Sequence, residues 1–235
     1  MELTQKYELF YHQFITNGGY KLILEGLGTT LLLAIAALII GVIVGTLVAI
    51  AITHKTPSIP HKILCVFLKA YVGFFRGTPI VVQLLFIYFV ILPAFGLKGM
   101  SALLVAVVIF GLNSGAYVSE IIRSGILSID VGQDEAARAL GLSSSLSMRY
   151  IIFPQALKNS LPTLGNEFIA LLKETSVANY ITVHDLTYAF KSIGSATYEY
   201  MFPYFFLALA YLLLVVCASY LVKLYERKLR ASDTH

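Results

Sequence analysis

The sequence predicts an all-α membrane protein with about five transmembrane helices. Of 235 residues, 58% are hydrophobic and 13% are charged, about half the ~25% charged fraction of a soluble domain. Mean hydropathy is +0.80. Uncharged runs cover residues 26–53, 77–97, 101–119 and 200–222, each near or above the roughly 20 residues that cross a hydrocarbon core.

Residues 1–25 carry Glu2, Glu8 and several aromatics but no basic cluster or evident cleavage site. They read as an external or interfacial segment, and the apolar run behind them as a retained helix. Residues 26–53 make the first crossing, where Gly41 and Gly45 form a GxxxG face expected to pack within the subunit. His54, Lys55, Pro57, Pro60, His61 and Lys62 follow with no acidic residue, a basic turn that the positive-inside rule places in the cytoplasm. The N-terminus then lies outside. In 60–76, Lys62, Lys69 and Arg76 recur every seven residues on an otherwise apolar stretch, predicting an amphipathic lead-in at the inner interface. Arg76, Gly77 and Pro79 mark a hinge, because Pro79 restricts Thr78 and Gly77 is free to turn. Arg76 is expected to snorkel toward the inner headgroups, a reading favoured over direct substrate contact.

Residues 79–95 cross outward, 96–100 turn, and 101–122 return. The segment 123–149 is the longest hydrophilic stretch and reads as a cytoplasmic loop. Residues 150–172 cross outward although Lys158, Glu167, Pro154 and Pro162 interrupt them. Residues 202–222 complete a transmembrane domain spanning 26–222, and 223–235 form a cytoplasmic tail. On this N-out, C-in topology, twelve of the seventeen Lys and Arg lie inside and five outside. Five helices enclose a polar pathway poorly alone, so a dimer is expected.

The same counts exclude several functions. The basic residues never cluster into a groove, which argues against nucleic acid. Cys65 and Cys217 stand alone in apolar stretches, and the five histidines form no HExxH, so neither a disulfide framework nor a metal site is supported. No G-x-x-x-x-G-K-[ST] occurs, so the chain does not itself hydrolyse ATP through a P-loop.

The loop carries the most specific pattern. In Asp130-Val-Gly-Gln-Asp-Glu-Ala-Ala-Arg-Ala-Leu-Gly141, Asp130 is placed to cap a helix, with Gln133 returning a capping-box bond. Asp134 and Glu135 suit the positive end of its dipole. Gly141 suits a left-handed stop, and a second helix restarts at Ser143, Ser144 and Ser145. Ala136, Ala137 and Ala139 leave the first helix nearly bare, open to close approach by another protein; a solvated hairpin without a role is the alternative.

Glu135-Ala-Ala, three residues, Gly141, nine residues and Ile151-Ile-Phe-Pro154 resemble the EAA loop of ABC importer permease subunits, with Phe153 in place of the usual Leu. Phe75-Arg-Gly-Thr-Pro79 with Gln83, Ala116-Tyr-Val-Ser-Glu120 with Arg123, and Gly165-Asn-Glu-Phe168 with Leu171-Leu-Lys-Glu-Thr-Ser176 look like the polar amino acid uptake branch of that family. The resemblance implies a type I (MetI-like) permease fold in a bacterial inner membrane, carrying amino acids of the arginine, histidine, lysine, glutamine or glutamate class. It also implies a second permease subunit, identical or homologous, an extracytoplasmic amino-acid-binding protein, and a cytosolic ATPase dimer. Asp134, Glu135, Ala136, Ala137 and Gly141 would then couple this chain to the ATPase. ATP and Mg would act on that partner, and this chain would bind no cofactor and have no catalytic residue.

Asn113, Ser114 and Glu167 fall near mid-membrane at 1.5 Å of rise per residue. Polar groups there are costly, which leaves two readings: a substrate pathway, or hydrogen bonds and ion pairs that hold helices together. An ion-coupled secondary transporter is the runner-up function, since broken helices with midplane polar groups serve it too; five spans without inverted repeats weigh against it.

Overall fold

Backbone in lipid must satisfy its own hydrogen bonds, and the α-helix does so within one segment. The computed structural model describes residues 2–53, 58–97 and 99–231, and these are helical apart from short connections. His54, Lys55, Thr56 and Pro57 of the basic turn, Lys98 and residues 232–235 lie outside the described residues.

A short helix α1 (Leu3–Tyr11) docks on the end of the chain. Phe10 stacks on Phe206 with ring centroids 4.9 Å apart, and Lys6 pairs with Glu199 at 3.1 Å. The backbone N–H of Met201, and after it Lys6, hold the Glu199 carboxyl below the usual carboxylate range. The long helix α2 (Gly19–Thr53) begins seven residues before the uncharged run. Lys21 and Glu25 break the run without breaking the helix, which at 35 residues is about 52 Å long and exceeds the hydrocarbon core.

Helix α3 (Ile59–Gly77) leads into α4 (Ile80–Phe86), which continues through a π turn at Ile87–Ile91 into α5 (Leu92–Ala94). The two arms meet at 107° about Thr78 and Pro79, which are both extended. The central helix α6 (Ala102–Leu127) buries more than half of its residues. It runs past Ile122 to Leu127, so the hydrophilic loop opens with a further helical turn rather than at Arg123.

Beyond it stand α7 (Val131–Ala139) and α8 (Ser144–Ser147), a π turn at Met148–Ile152, and α9 (Phe153–Glu174). A further π turn lies at His12–Thr16; the two at Ile87–Ile91 and Met148–Ile152 each precede a proline, Pro93 and Pro154. A proline ring crowds the carbonyl four residues back and offers no N–H, and a widened turn relieves both problems. Pro162 sits inside α9 without ending it. A 3₁₀ segment (Thr175–Ile181) leads to α10 (Leu186–Thr197), a helix absent from the sequence expectation, and α11 (Met201–Ala231) extends into the predicted tail.

Helices α2, α6 and α11 are long and apolar enough to cross a bilayer, and the bent α3–α4/α5 pair makes a possible fourth span. The 22-residue α9 carries Lys158, Glu167, Lys173 and Glu174, which keeps it out of that class.

The core is α2 laid against α6 and α9. Gly41 and Gly45 face α6 in the same chain: a Cβ on Gly41 would stand 2.6 Å from Ser114 Oγ, and one on Gly45 2.7 Å from the carbonyl of Gly115. The GxxxG therefore serves packing within the subunit. Helix α11, by contrast, exposes Leu212, Leu213, Val216, Tyr220 and Leu221, a surface suited to lipid.

Candidate functional site

The hairpin is built from local devices. Asp130 Oδ1 accepts from the backbone N–H of Gly132 at 2.6 Å and so caps α7. The bond comes from Gly132 rather than Gln133, so the expected capping box gives way to a tighter two-residue cap. Gly141 has φ +85°, its N–H reaches Arg138 O at 2.9 Å, and Leu142 N–H reaches Ala137 O at 3.1 Å. This pair of bonds is a Schellman stop. Ser143 Oγ then accepts from Leu146 N–H at 3.4 Å and starts α8.

Ser147 Oγ, fully buried, donates to Asp134 Oδ1 at 2.6 Å and ties the two arms. Asp134 is thus engaged inside the hairpin, and Ala137 is buried there too. Of the residues expected to meet a partner, Glu135 and Ala136 face outward, with Ala139. Leu140 joins them at 84% exposure, an apolar tip on a protruding helix that sequence reasoning passed over.

The intramembrane residues divide into two groups. Asn113 and Ser114 are neighbours on α6, but consecutive residues of a helix point about 100° apart. Ser114 Oγ donates to Glu167 Oε1 at 2.9 Å, 53 residues away, joining α6 to α9. Asn113 turns toward the elbow, where its Nδ2 donates to Phe75 O at 3.2 Å and to Gln83 Oε1 at 3.0 Å. Gln83 Nε2 donates to Phe75 O at 2.9 Å and to Thr78 Oγ1 at 2.7 Å. The last carbonyls of a helix lack intrahelical donors, and these two buried amides supply them for α3. The structure therefore engages Asn113 in interhelical hydrogen bonding and leaves Ser114 and Glu167 as the pair between α6 and α9.

Arg76, Gly77 and Pro79 lie at the elbow. The guanidinium of Arg76 sits over the Tyr117 ring, 5.5 Å from the centroid, and 3.9 Å from Glu120 Oε2. Glu120 is already claimed by Arg123, whose Nε lies 3.1 Å from both carboxylate oxygens and whose Nη2 lies 2.7 Å from Oε2. Arg76, Tyr117 and Glu120 border a cavity of ≈ 410 Å³ between α6 and α9, lined also by Ser124, Asn159 and Thr163. The i, i+3 spacing of Glu120 and Arg123 was visible in sequence; the approach of Arg76 from another helix was not.

Comparison with known proteins gives a concordant result. The family described as "Binding-protein-dependent transport system inner membrane component" matches residues 41–231. The putative glutamine transport system permease protein GlnP of Rickettsia felis is 40% identical over 207 residues, 88% of this chain and 92% of that protein. The arginine transport system permease protein ArtQ of Bacillus subtilis is 39% identical over 211 residues, 90% of this chain and 94% of that protein. Among solved structures, an amino acid ABC transporter crystallised with histidines superposes with a TM-score of 0.81 at 42% identity, covering 92% of this chain and 98% of that one. The inward-facing MetNI methionine ABC transporter gives 0.75 at 19% identity over 88% and 96%, a likeness of fold.

Proposed function

The chain belongs to the family of binding-protein-dependent transport system inner membrane components, and from that premise we propose that it is the permease subunit of an ATP-driven importer of polar amino acids. It works in the bacterial inner membrane as one of two permease subunits, identical or homologous, with five spans, the N-terminus outside and the C-terminus inside. An extracytoplasmic binding protein delivers the amino acid, of the class named for the relatives that carry glutamine and arginine. A cytosolic ATPase dimer holds ATP and Mg and hydrolyses the nucleotide; this chain transduces and is not itself an enzyme.

One observation carries the reading. The hairpin presents Glu135, Ala136 and Leu140 outward and passes through a single π turn into α9, the helix that carries Glu167. The Schellman stop and the Asp134–Ser147 bond make α7 and α8 one rigid piece. A displacement of α7 by the ATPase is therefore delivered along α9 to the Ser114–Glu167 contact, and helix rigidity, rather than a chain of flexible contacts, is the transmitter. At that contact Glu167 offers its carboxylate to a cationic group of the substrate, and Ser114 holds it in place until the substrate arrives.

Reconstitution with the binding protein and ATPase tests this. Uptake should require ATP and be vanadate-sensitive. Glu135→Lys should reduce ATPase association, and Glu167→Gln should reduce uptake at matched protein levels. Uptake driven by an ion gradient without ATP would overturn the importer in favour of the secondary transporter, and full uptake by Glu167→Gln would remove the substrate role of that residue.

A further inference from the structure

The cavity beside Arg76 is unused by the reading above, although it lies next to the pair that reading depends on. Tyr117 stands three residues beyond Ser114 on α6, and Thr163 four residues before Glu167 on α9. Both line the cavity with Arg76 and Glu120. On each helix this is about one turn, roughly 4.5 Å on α6 and roughly 6 Å on α9, on the hairpin side of the Ser114–Glu167 contact.

The charges at its rim do not cancel. Arg123 takes both oxygens of Glu120 in a fork, with its shortest contact at 2.7 Å, the geometry in which a guanidinium neutralises a carboxylate best. Arg76 is left with a single long approach of 3.9 Å. Among the described residues its other contact is the face of Tyr117, which positions a guanidinium without using its N–H donors. Lys69 lines the adjoining cavity with Arg76 and Arg123. The cluster of Arg76, Arg123 and Glu120 thus carries one surplus positive charge, held on Arg76, while the acidic Glu167 stands one turn beyond the cavity-lining Thr163 on α9. A site with an acid at one end and an under-neutralised guanidinium at the other matches a zwitterion.

We propose that Arg76 is the carboxylate subsite of this permease: it binds the α-carboxylate of the transported amino acid in the cavity beside Tyr117, while the cationic or polar end of the substrate lies toward Glu167. The inference rests on the proposed importer function and adds an orientation to it, with the carboxylate on the hairpin side. The hydroxyl and amide groups of Ser124, Asn159 and Thr163 border the same space and offer donors to the second carboxylate oxygen. Arg123 acts as a positioning residue: by occupying Glu120 it keeps Arg76 available.

The test uses the permease–ATPase complex without binding protein, so that recognition by the binding protein does not enter. L-Arginine is competed with L-argininamide, which keeps both cations and loses the carboxylate, and L-glutamine with its amide. The wild-type complex should prefer the free acid at least tenfold in one of the two pairs. Arg76→Gln should weaken the acid about tenfold, leave the amide within twofold, and so abolish the preference; Arg76→Lys should restore part of it. Arg123→Gln should weaken the acid several-fold with Arg76 intact, because the freed Glu120 closes on Arg76. Absence of a preference in the wild type, or its survival in Arg76→Gln, overturns the proposal. Glu167→Gln separates the two readings: if it leaves acid and amide both unchanged while Arg76→Gln removes the preference, the role given to Glu167 fails and that of Arg76 stands.

Discussion

The cytoplasmic hairpin and the intramembrane bundle solve opposite problems. The hairpin has water to satisfy stray polar groups and little apolar surface to bury, so its shape rests on hydrogen bonds between close neighbours. Asp130 binds two residues ahead, Ser143 three, and Gly141 three behind. In the bundle, Asn113 and Ser114 find their partners on other helices, at separations of 30, 38 and 53 residues. A local device can be read from a sequence window, whereas a long-range one depends on which helix faces which.

That difference explains what was legible. The caps at Asp130 and Ser143 and the stop at Gly141 were visible because residue type and spacing suffice. The apolar runs gave α2, α6 and α11 for the same reason, and the elbow followed from Gly77 and Pro79. Three things were not visible. Asn113 looked like a partner of Ser114 because the two are adjacent, and only the packing of α3 against α6 shows it serving the end of α3. The cleft that Arg76 shares with Glu120 needs two helices in register. Helix α10 did leave a signal, since Asp185 caps it, accepting from Tyr188 N–H at 2.9 Å, and Leu186, Ala189, Phe190 and Ile193 recur at helical spacing. It is too short and too polar for a search keyed on membrane-spanning runs.

The sharpest way to break the contrast is to disturb one glycine in each region. A side chain on Gly45 meets the carbonyl of Gly115 and the side chain of Val118, both at 2.7 Å, and backbone cannot step aside as a side chain can. Gly45→Leu should therefore cost more than the ~1–3 kcal/mol of ordinary overpacking and eliminate folded protein, measured as monodisperse yield after extraction. Gly28 and Gly73 have open space around them, and Leu there should leave yield unchanged. If Gly45→Leu folds as well as these controls, the α2–α6 contact is not the core.

In the hairpin the expected effect is functional instead. Gly141→Val forces a β-branched residue to φ +85°, a local cost of roughly 1–2 kcal/mol that the membrane domain never feels. Yield should stay normal while ATP-driven uptake falls at least tenfold. Gly141→Asn should fall less, because Asn enters the left-handed region more readily. Equal uptake by wild type and Gly141→Val would show that the stop can be remade without consequence.

Asn113→Leu sharpens the comparison inside the bundle. It removes two hydrogen bonds and leaves buried Gln83 Oε1 without its donor, a loss of about 1–3 kcal/mol. If Asn113 holds the elbow, thermal stability should drop while uptake per folded molecule changes less than twofold. A large drop in uptake at unchanged stability would return Asn113 to the substrate pathway beside Ser114.

The smallest effect is expected where the hairpin borrows the strategy of the bundle. Asp134 and Ser147 are 13 residues apart, and their bond is the hairpin's one long reach among those described above. Its two ends are unequal, since Ser147 is fully buried and Asp134 is half-buried. Removing the serine hydroxyl leaves a carboxylate that water can solvate, so Ser147→Ala should cost well under ~1 kcal/mol, the size of a solvent-compensated hydrogen bond. Removing the carboxylate strands a buried hydroxyl. That hydroxyl can turn back to the carbonyl four residues earlier, a bond serine makes at some expense to helix geometry, so Asp134→Ala should cost nearer ~1 kcal/mol than the full penalty of an orphaned group. Amide hydrogen exchange over Val131–Ala139 reads the difference directly, because ~1.4 kcal/mol corresponds to tenfold in an opening equilibrium. Exchange should accelerate about fivefold in Asp134→Ala and less than twofold in Ser147→Ala. The reverse order would mean that the buried hydroxyl, not the carboxylate, holds the arms together, and identical protection in both variants would mean that the caps alone make the hairpin rigid.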